Sequence, residues 1–275
     1  MTPPELLSAL LGVTAHERSR RHDGEKVPET VRRIRQRLDA VYEDAIFHKR
    51  ASINPAAATK RKMREATPAR VVKGCFAALA YGAAPALVQR LRAVPGTAAR
   101  ALELAVLTAA RTSEVIYAEW SEFDLSAATW TVPAERMKAK EAHVAYLSER
   151  AVDILRAQIG RHARWVFPSP MKPEQPMSDM AMLATLDRLG ARGQTTVHGL
   201  CRATFSTWAN ETAAARPDVV EACLAHAEGK RVRAAYNRAQ FADGRRALLS
   251  AWAQYLARPA APVVALDTGA RAAAA

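Results

Sequence analysis

From Ala98 to Ala109 the chain reads AARALELAVLTA, apolar nearly all the way round a helical period. A helix without a polar face belongs in an interior and has to be covered on its sides by other elements. That stretch therefore asks for a sizeable, mainly helical domain around it. The remainder of the sequence agrees, because helix-period patterns recur in an Ala-, Leu- and Arg-rich chain more often than strand-like alternation does. A helical block runs from about Lys73 to Ala118, and helices resume at Glu149, broken by the four-proline loop Pro168–Pro176. Between them lies one strand-like region. Phe123–Leu125, Thr129–Val132 and His143–Leu147 are short runs with β-branched and aromatic residues, separated by turn-prone or charged ones.

The amino-terminal part reads as a separate helical piece. Val31, Ile34, Leu38, Val41 and Ala45 make an apolar stripe, with Arg32, Arg33, Arg35 and Arg37 on the other faces. Pro28 suits a helix start and Asn54-Pro55 closes the segment. Such an arginine-rich helix fits either a phosphate backbone or an ordinary solvated face. Residues 59–72 carry clustered charge without a clean stripe and are expected to be a basic linker, and residues 259–275 a disordered tail.

Charge narrows the partners. Lys and Arg number 40 against 27 Asp and Glu, a formal net charge of +13. An excess of this size calls for a polyanion, and nucleic acid is the commonest one for a basic protein, although charge alone does not reject a merely basic surface. The apolar run Leu6–Val13 is too short to span a bilayer, so no membrane association is expected. Three cysteines cannot build a disulfide framework, and a reducing cytoplasm, with association to the nucleoid, is the expected location.

Six residues carry the chemistry only when taken together. Singly, Arg111 in TAARTSEV reads as a surface arginine and Lys138 as an exposed hairpin lysine. His198 and Arg202 in VHGLCRATFSTW read as polar caps, His226 in LAH as a core histidine, and Tyr236 in RAAYNRAQF as a half-buried aromatic. Phosphoryl transfer to a tyrosine needs a phenol nucleophile, fixed cations around the non-bridging oxygens and a proton donor for the leaving oxygen. Arginine supplies a planar, permanently charged fork. Lysine gives up a proton readily beside other cations, and histidine exchanges one near neutrality. No metal and no cofactor is required.

In this order, Arg111, Lys138, His198 with Arg202, His226 and Tyr236 resemble the active-site set of the tyrosine recombinases. The flanking words LTAARTSE, WTVPAERMK and LAHAEGKRVRAAYNRAQF look like the branch of integrases carried by prophages and genomic islands, and the likeness runs from about residue 1 to 258. The resemblance implies a mainly α fold with a small antiparallel β-hairpin sheet. It implies a catalytic domain over 73–258, preceded over 1–58 by part of a helical core-binding domain. It further implies that the start of that domain and an arm-binding domain are missing from the chain. Tyr236 would form a 3′-phosphotyrosyl bond, Arg111 and Arg202 would hold the scissile phosphate, and Lys138 would protonate the 5′ oxygen. His198 would serve as base or phosphate ligand, His226 would hydrogen-bond a phosphate oxygen, and Glu114 would support the site structurally. The implied partners are double-stranded DNA attachment sites, three further copies of the chain in a tetramer, and a DNA-bending host factor or directionality factor.

Two departures from the family pattern stand out. The family usually sets its second arginine three residues after the histidine, whereas HGLCR sets Arg202 four residues after His198, and its usual glycine two residues before the first arginine is Ala109. A zinc reading of His198-x-x-Cys201 with Cys223-x-x-His226 explains four residues and leaves the others accidental. No carboxylate cluster, phosphate-binding glycine loop or GxSxG turn supports a metal nuclease, nucleotide hydrolase or serine hydrolase. The alternative to an active recombinase is a shortened DNA-binding remnant of one. The helix expected near Arg245–Leu256, apolar at Leu248, Leu249, Trp252 and Leu256, fits equally a neighbouring subunit or its own domain.

Overall fold

The structure, a computed structural model, describes residues 2–13, 28–66, 77–226 and 241–259. It divides into two compact units, Met1–Gly74 and Cys75–Ala275.

The first unit contains α1 (Pro3–Leu11), α2 (Pro28–Phe47) and α3 (Pro55–Ala66). Thr2 opens α1 with a reciprocal cap, its N–H donating to the Glu5 carboxylate at 2.7 Å while its hydroxyl accepts from the Glu5 N–H at 3.5 Å. Leu6 and Leu10, one turn apart, are buried with Val31, Ala56 and Met63. The stripe expected on α2 is only partly right. Val41 is 62% exposed, whereas Arg35 is buried, donating to Asp39 and to the Ala56 carbonyl at 3.1 Å each. Arg35 is therefore a packing residue and not one of a phosphate-facing row.

The linker expected over 59–72 begins too early. Asn54 caps α3 by accepting from the Ala57 N–H at 3.0 Å, and the helix carries on through the basic run to Ala66. Its inward side is made of Ala56, Thr59 and Met63, a stripe of small residues that hydropathy reads poorly. Residues 67–72 of that linker, and the expected tail beyond Pro259, lie outside the described residues.

The second unit is built round the all-apolar stretch Ala98–Ala109. Its elements are α4 (Ala84–Ala93), α5 (Thr97–Thr108), α6 (Thr112–Ile116), strands β1 (Phe123–Asp124), β2 (Thr129–Val132) and β3 (His143–Tyr146), then α7 (Glu149–Arg156) and α8 (Ala181–Arg188). A π turn (Gly199–Ala203) leads into α9 (Thr204–Glu211), followed by α10 (Pro217–Cys223) and α11 (Ala242–Ala257). α5 touches α4, α6, α7, α8, α11 and the π turn, as an all-apolar helix should. Its one buried charge, Glu103, is fully enclosed and answered by Arg92, Arg100 and Arg150 at 2.8–2.9 Å.

The strand-like runs form a three-stranded antiparallel sheet in the order β1-β2-β3, with Trp130 opposite both Phe123 and Ala145. The expected fold class, mainly helical with one small antiparallel sheet, is what the chain adopts. α11 turns Leu248, Leu249, Trp252 and Leu256 into its own domain, and the Trp252 indole donates to the Val106 carbonyl of α5 at 2.9 Å. That apolar face is thereby consumed within the subunit.

α5 ends at Ala109, which is fully buried in the left-handed region at φ 52°. A residue with a Cβ is strained there. Ala109→Gly should therefore stabilise the protein by about 0.5–1 kcal/mol, the strain relief being partly offset by the entropy of an unfolded glycine. Urea denaturation measures this, and an unchanged or lowered midpoint would show that the junction carries no strain.

Candidate functional site

The end of α5, the start of α6, the π turn and the end of α10 converge, and their side chains meet. Arg111 precedes α6, and Glu114 within that helix's first turn reaches back to it twice. One carboxylate oxygen accepts from the Arg111 N–H at 2.8 Å and the other pairs with its guanidinium at 2.7 Å. Glu114 is 4% exposed, so this acid orients Arg111 and is not itself available to a ligand. The second Arg111 nitrogen donates to the Ala225 carbonyl at 3.3 Å.

Arg202 lies deeper, 4% exposed. Its guanidinium donates to the Ala109 carbonyl at 2.7 Å and to the Leu224 carbonyl at 2.6 Å, and it stands 2.9 Å from the His226 ring. Its Nε is buried without a hydrogen-bond partner, and among the described residues no carboxylate pairs with it. Burial, then the neighbouring Arg111 charge, pulls its pKa down to about 10, which leaves it a cation at neutral pH. Two carbonyl dipoles thus hold an unneutralised charge in place, the condition under which an incoming anion is attracted most strongly.

Two imidazoles complete the cluster. Arginine has only donors, so His226 Nε2 accepts from Arg202, and its Nδ1 then carries the hydrogen shared with Glu221 at 2.7 Å. His198 is exposed at the start of the π turn. Burial of part of its ring, then the charges of Arg202 and Arg111, lower its pKa below the usual imidazole value, which favours the neutral, proton-accepting form.

Of the six residues expected from the sequence, the structure brings Arg202 and His226 into contact and ties Arg111 to the carbonyl of the neighbouring Ala225, with His198 within electrostatic reach of all three. Lys138 is exposed in the connection between β2 and β3 and makes no hydrogen bond with the other four. Its hairpin is nevertheless tied beside Arg111, because Arg136, two residues earlier, pairs with Glu122 and donates to the Glu114 carbonyl. Tyr236 lies outside the described residues. The chain leading to it leaves from Leu224, Ala225 and His226, the three residues that the two arginines hold. The zinc pairing is not assembled, since among the described residues no three His, Cys, Asp or Glu side chains stand in a ligating group. Cys201 faces the core, where burial pushes its thiol up to about 12.

Sequence reasoning missed His143 and Arg245. Arg245, at the start of α11, donates to the Val144 carbonyl and lies 3.4 Å from both ring nitrogens of His143. Burial and then Arg245 lower the His143 pKa to about 4, with Arg111 and Arg202 adding to the effect. Only the strand pattern marked position 143, because the arginine beside it is about a hundred residues away along the chain.

The same region matches a known family: residues 83–243 fit the phage integrase family. The chain belongs to that family. Among phage integrase relatives, the prophage integrase IntZ of Escherichia coli K12 is 35% identical over 229 residues, covering 82% of this chain and 55% of that protein. The integrase of Shigella phage Sf6 is 30% identical over 242 residues, covering 86% of this chain and 61% of that one. The chain thus spans little more than half the length of these relatives. A lambda integrase tetramer bound to a Holliday junction superposes with a TM-score of 0.59 at 16% identity, over 84% of this chain and 66% of that one, a likeness of fold.

His143 has a measurable consequence. The folded chain keeps it neutral down to about pH 4, while the unfolded chain protonates near 6.5. Stability therefore falls as the pH drops through that window. His143→Gln should be less acid-sensitive than the parent, by about 1–2 kcal/mol at pH 5 relative to pH 8. Parallel stability curves for the two proteins between pH 4 and 7 would remove His143 from this account.

Proposed function

We propose that this chain is the catalytic part of a tyrosine-type site-specific recombinase, which cleaves and rejoins double-stranded DNA through a 3′-phosphotyrosyl intermediate to integrate or excise a mobile element. The observation that supports it best is the buried Arg202 cation, without a carboxylate partner among the described residues, beside Arg111 and two imidazoles and tied to the backbone that leads to Tyr236.

The Tyr236 oxygen attacks the scissile phosphorus and its proton passes to His198, whose neutral form is favoured. Arg111 and Arg202 take the charge that grows on the non-bridging oxygens, and His226, once it has taken a proton on Nε2 while keeping its Nδ1 hydrogen on Glu221, donates to one of them in place of its contact with Arg202. The bond from phosphorus to the 5′ oxygen breaks, and Lys138 protonates that oxygen as the β2–β3 connection closes on DNA. Reversal with a new 5′-hydroxyl rejoins the strand, so the energy of the broken bond is kept in the phosphotyrosine and no nucleotide is consumed. The excess of basic residues serves the phosphate backbone. By analogy with the lambda integrase tetramer on a Holliday junction, four copies act on two attachment sites. A bending or directionality protein would set the direction, and the work would be done at the nucleoid. No described helix is long and apolar enough to cross a membrane.

A nicked suicide duplex carrying the core site of the element's own ends tests the reading. The parent chain should form a covalent protein–DNA adduct that Tyr236→Phe abolishes. Salt-sensitive binding without any adduct, where a full-length relative reacts, would instead mark a DNA-binding remnant. Lys138→Ala should slow cleavage of ordinary DNA by about 100-fold or more, in the range of a lost general acid. A 5′-thiolate leaving group, which needs no proton, should restore the rate, and failure of that rescue would take the acid role away from Lys138.

A further inference from the structure

His198 and Arg202 stand four residues apart, one more than the family's usual spacing. In an α-helix a three-residue step turns about 300° and a four-residue step about 400°, so one inserted residue swings a side chain roughly 100° from where it would point. The chain avoids this by widening one turn. The Thr204 N–H donates to the Gly199 carbonyl five residues back, and Gly199–Ala203 forms a π turn between ordinary helical residues on either side. A π turn takes up one residue more than an α turn, so four residues there do nearly what three do in an α-helix.

Such wide turns are rare and occur mostly as single turns inside α-helices, so one that is kept asks what holds it. Here the support is backbone from residues 77–79. A Cβ on Gly199 would lie 2.0 Å from the Ala77 carbonyl oxygen, an approach only glycine permits. The same carbonyl accepts from the Thr196 N–H at 3.1 Å and from the buried Thr195 hydroxyl at 3.2 Å. Thr196 Oγ1 accepts from the Gly199 N–H at 2.9 Å. On the far side of the turn, the buried Thr204 hydroxyl sits 2.8 Å from the Leu79 carbonyl and 3.1 Å from that of Gly199. Both ends of the widened turn are thus pinned to one strap of chain.

We propose that Gly199 is a positioning residue of the recombination site: its bare Cα against the Ala77 carbonyl holds the π turn, and the π turn offsets the extra residue between His198 and Arg202. The roles of those two residues rest on the function proposed above, whereas the geometry does not. Deleting Cys201 leaves the segment HGLR and restores the three-residue step in an ordinary α turn. Gly199→Ala keeps four residues but cannot make the close approach.

Two readouts separate the possibilities. The first is the single-turnover rate of adduct formation on the nicked core-site duplex. The second is the His198 titration followed by NMR, which senses the Arg202 charge whether or not any DNA is cut. Deletion of Cys201 should keep the rate within about threefold of the parent and keep the His198 titration below the ordinary imidazole value. Gly199→Ala should lose 30-fold or more in rate, with DNA binding changed less than threefold, and its His198 should titrate closer to the ordinary value. A Cys201 deletion that fails to fold, or folds and loses the His198 shift, overturns the proposal, as does a folded Gly199→Ala chain that matches the parent in both readouts. If Gly199→Ala does not fold, the deletion alone decides. If the parent forms no adduct at all, the recombinase reading fails, and the two titrations still decide the role of Gly199.

Discussion

A buried guanidinium is costly, and the second unit of this protein is arranged around one that has no carboxylate partner among the described residues. Arg202 is held by the carbonyls of Ala109 and Leu224, which close two different helices. Neutral dipoles lessen the desolvation penalty without cancelling the charge. The bonds therefore have two effects at once. They tie the end of α5 to the end of α10, and they leave a net positive centre where those ends meet. Arg111 differs in having Glu114 as a counter-ion. The pair of arginines is thus one oriented fork with a counter-ion beside one cation that has none among the described residues, and burial with their charges pushes His198 toward its neutral form.

The same economy of attachment governs the periphery of the site. Arg136 ties the β2–β3 connection to α6, and Arg245 ties α11 to β3 through the Val144 carbonyl while lying against His143. Arg245 also stacks over the ring of Tyr146, which lets a charged side chain sit in a mostly apolar seam. Each of these arginines joins segments distant in sequence by donating to backbone carbonyls. A high arginine content in this chain thus has a structural use as well as an electrostatic one. Arg35 in the first unit repeats the pattern by reaching the Ala56 carbonyl of a neighbouring helix.

Much of this was legible in the chain. The all-apolar stretch Ala98–Ala109 announced a central helix, and α5 is surrounded as that pattern requires. The three β-branched runs paired where they were expected. Misreadings came where hydropathy is a poor guide. Small residues and one methionine formed the buried side of α3, and on α2 an arginine was buried while Val41 was left exposed. Arg35, with Asp39 and a carbonyl within reach, buries its charge at lower cost than its residue type suggests, and Tyr42 rather than Val41 continues the packed side.

By itself the sequence supplied the identity and order of the residues to which the proposed chemistry is assigned: Arg111, Lys138, His198, Arg202, His226 and Tyr236. Phosphoryl transfer restricts which side chains can serve, and residue type needs no coordinates to be seen. What only the tertiary structure decided is how those residues are charged and aimed. The aim of Arg202 and the π turn that absorbs the extra residue between His198 and Arg202 depend on carbonyls at Ala77, Ala109 and Leu224, and the neutral His143 depends on burial beside Arg245, which the Val144 carbonyl holds. Every residue carries a carbonyl, so nothing in a sequence marks the few that will be pointed at a cation or at a bare Cα. Their selection is a property of the folded chain alone.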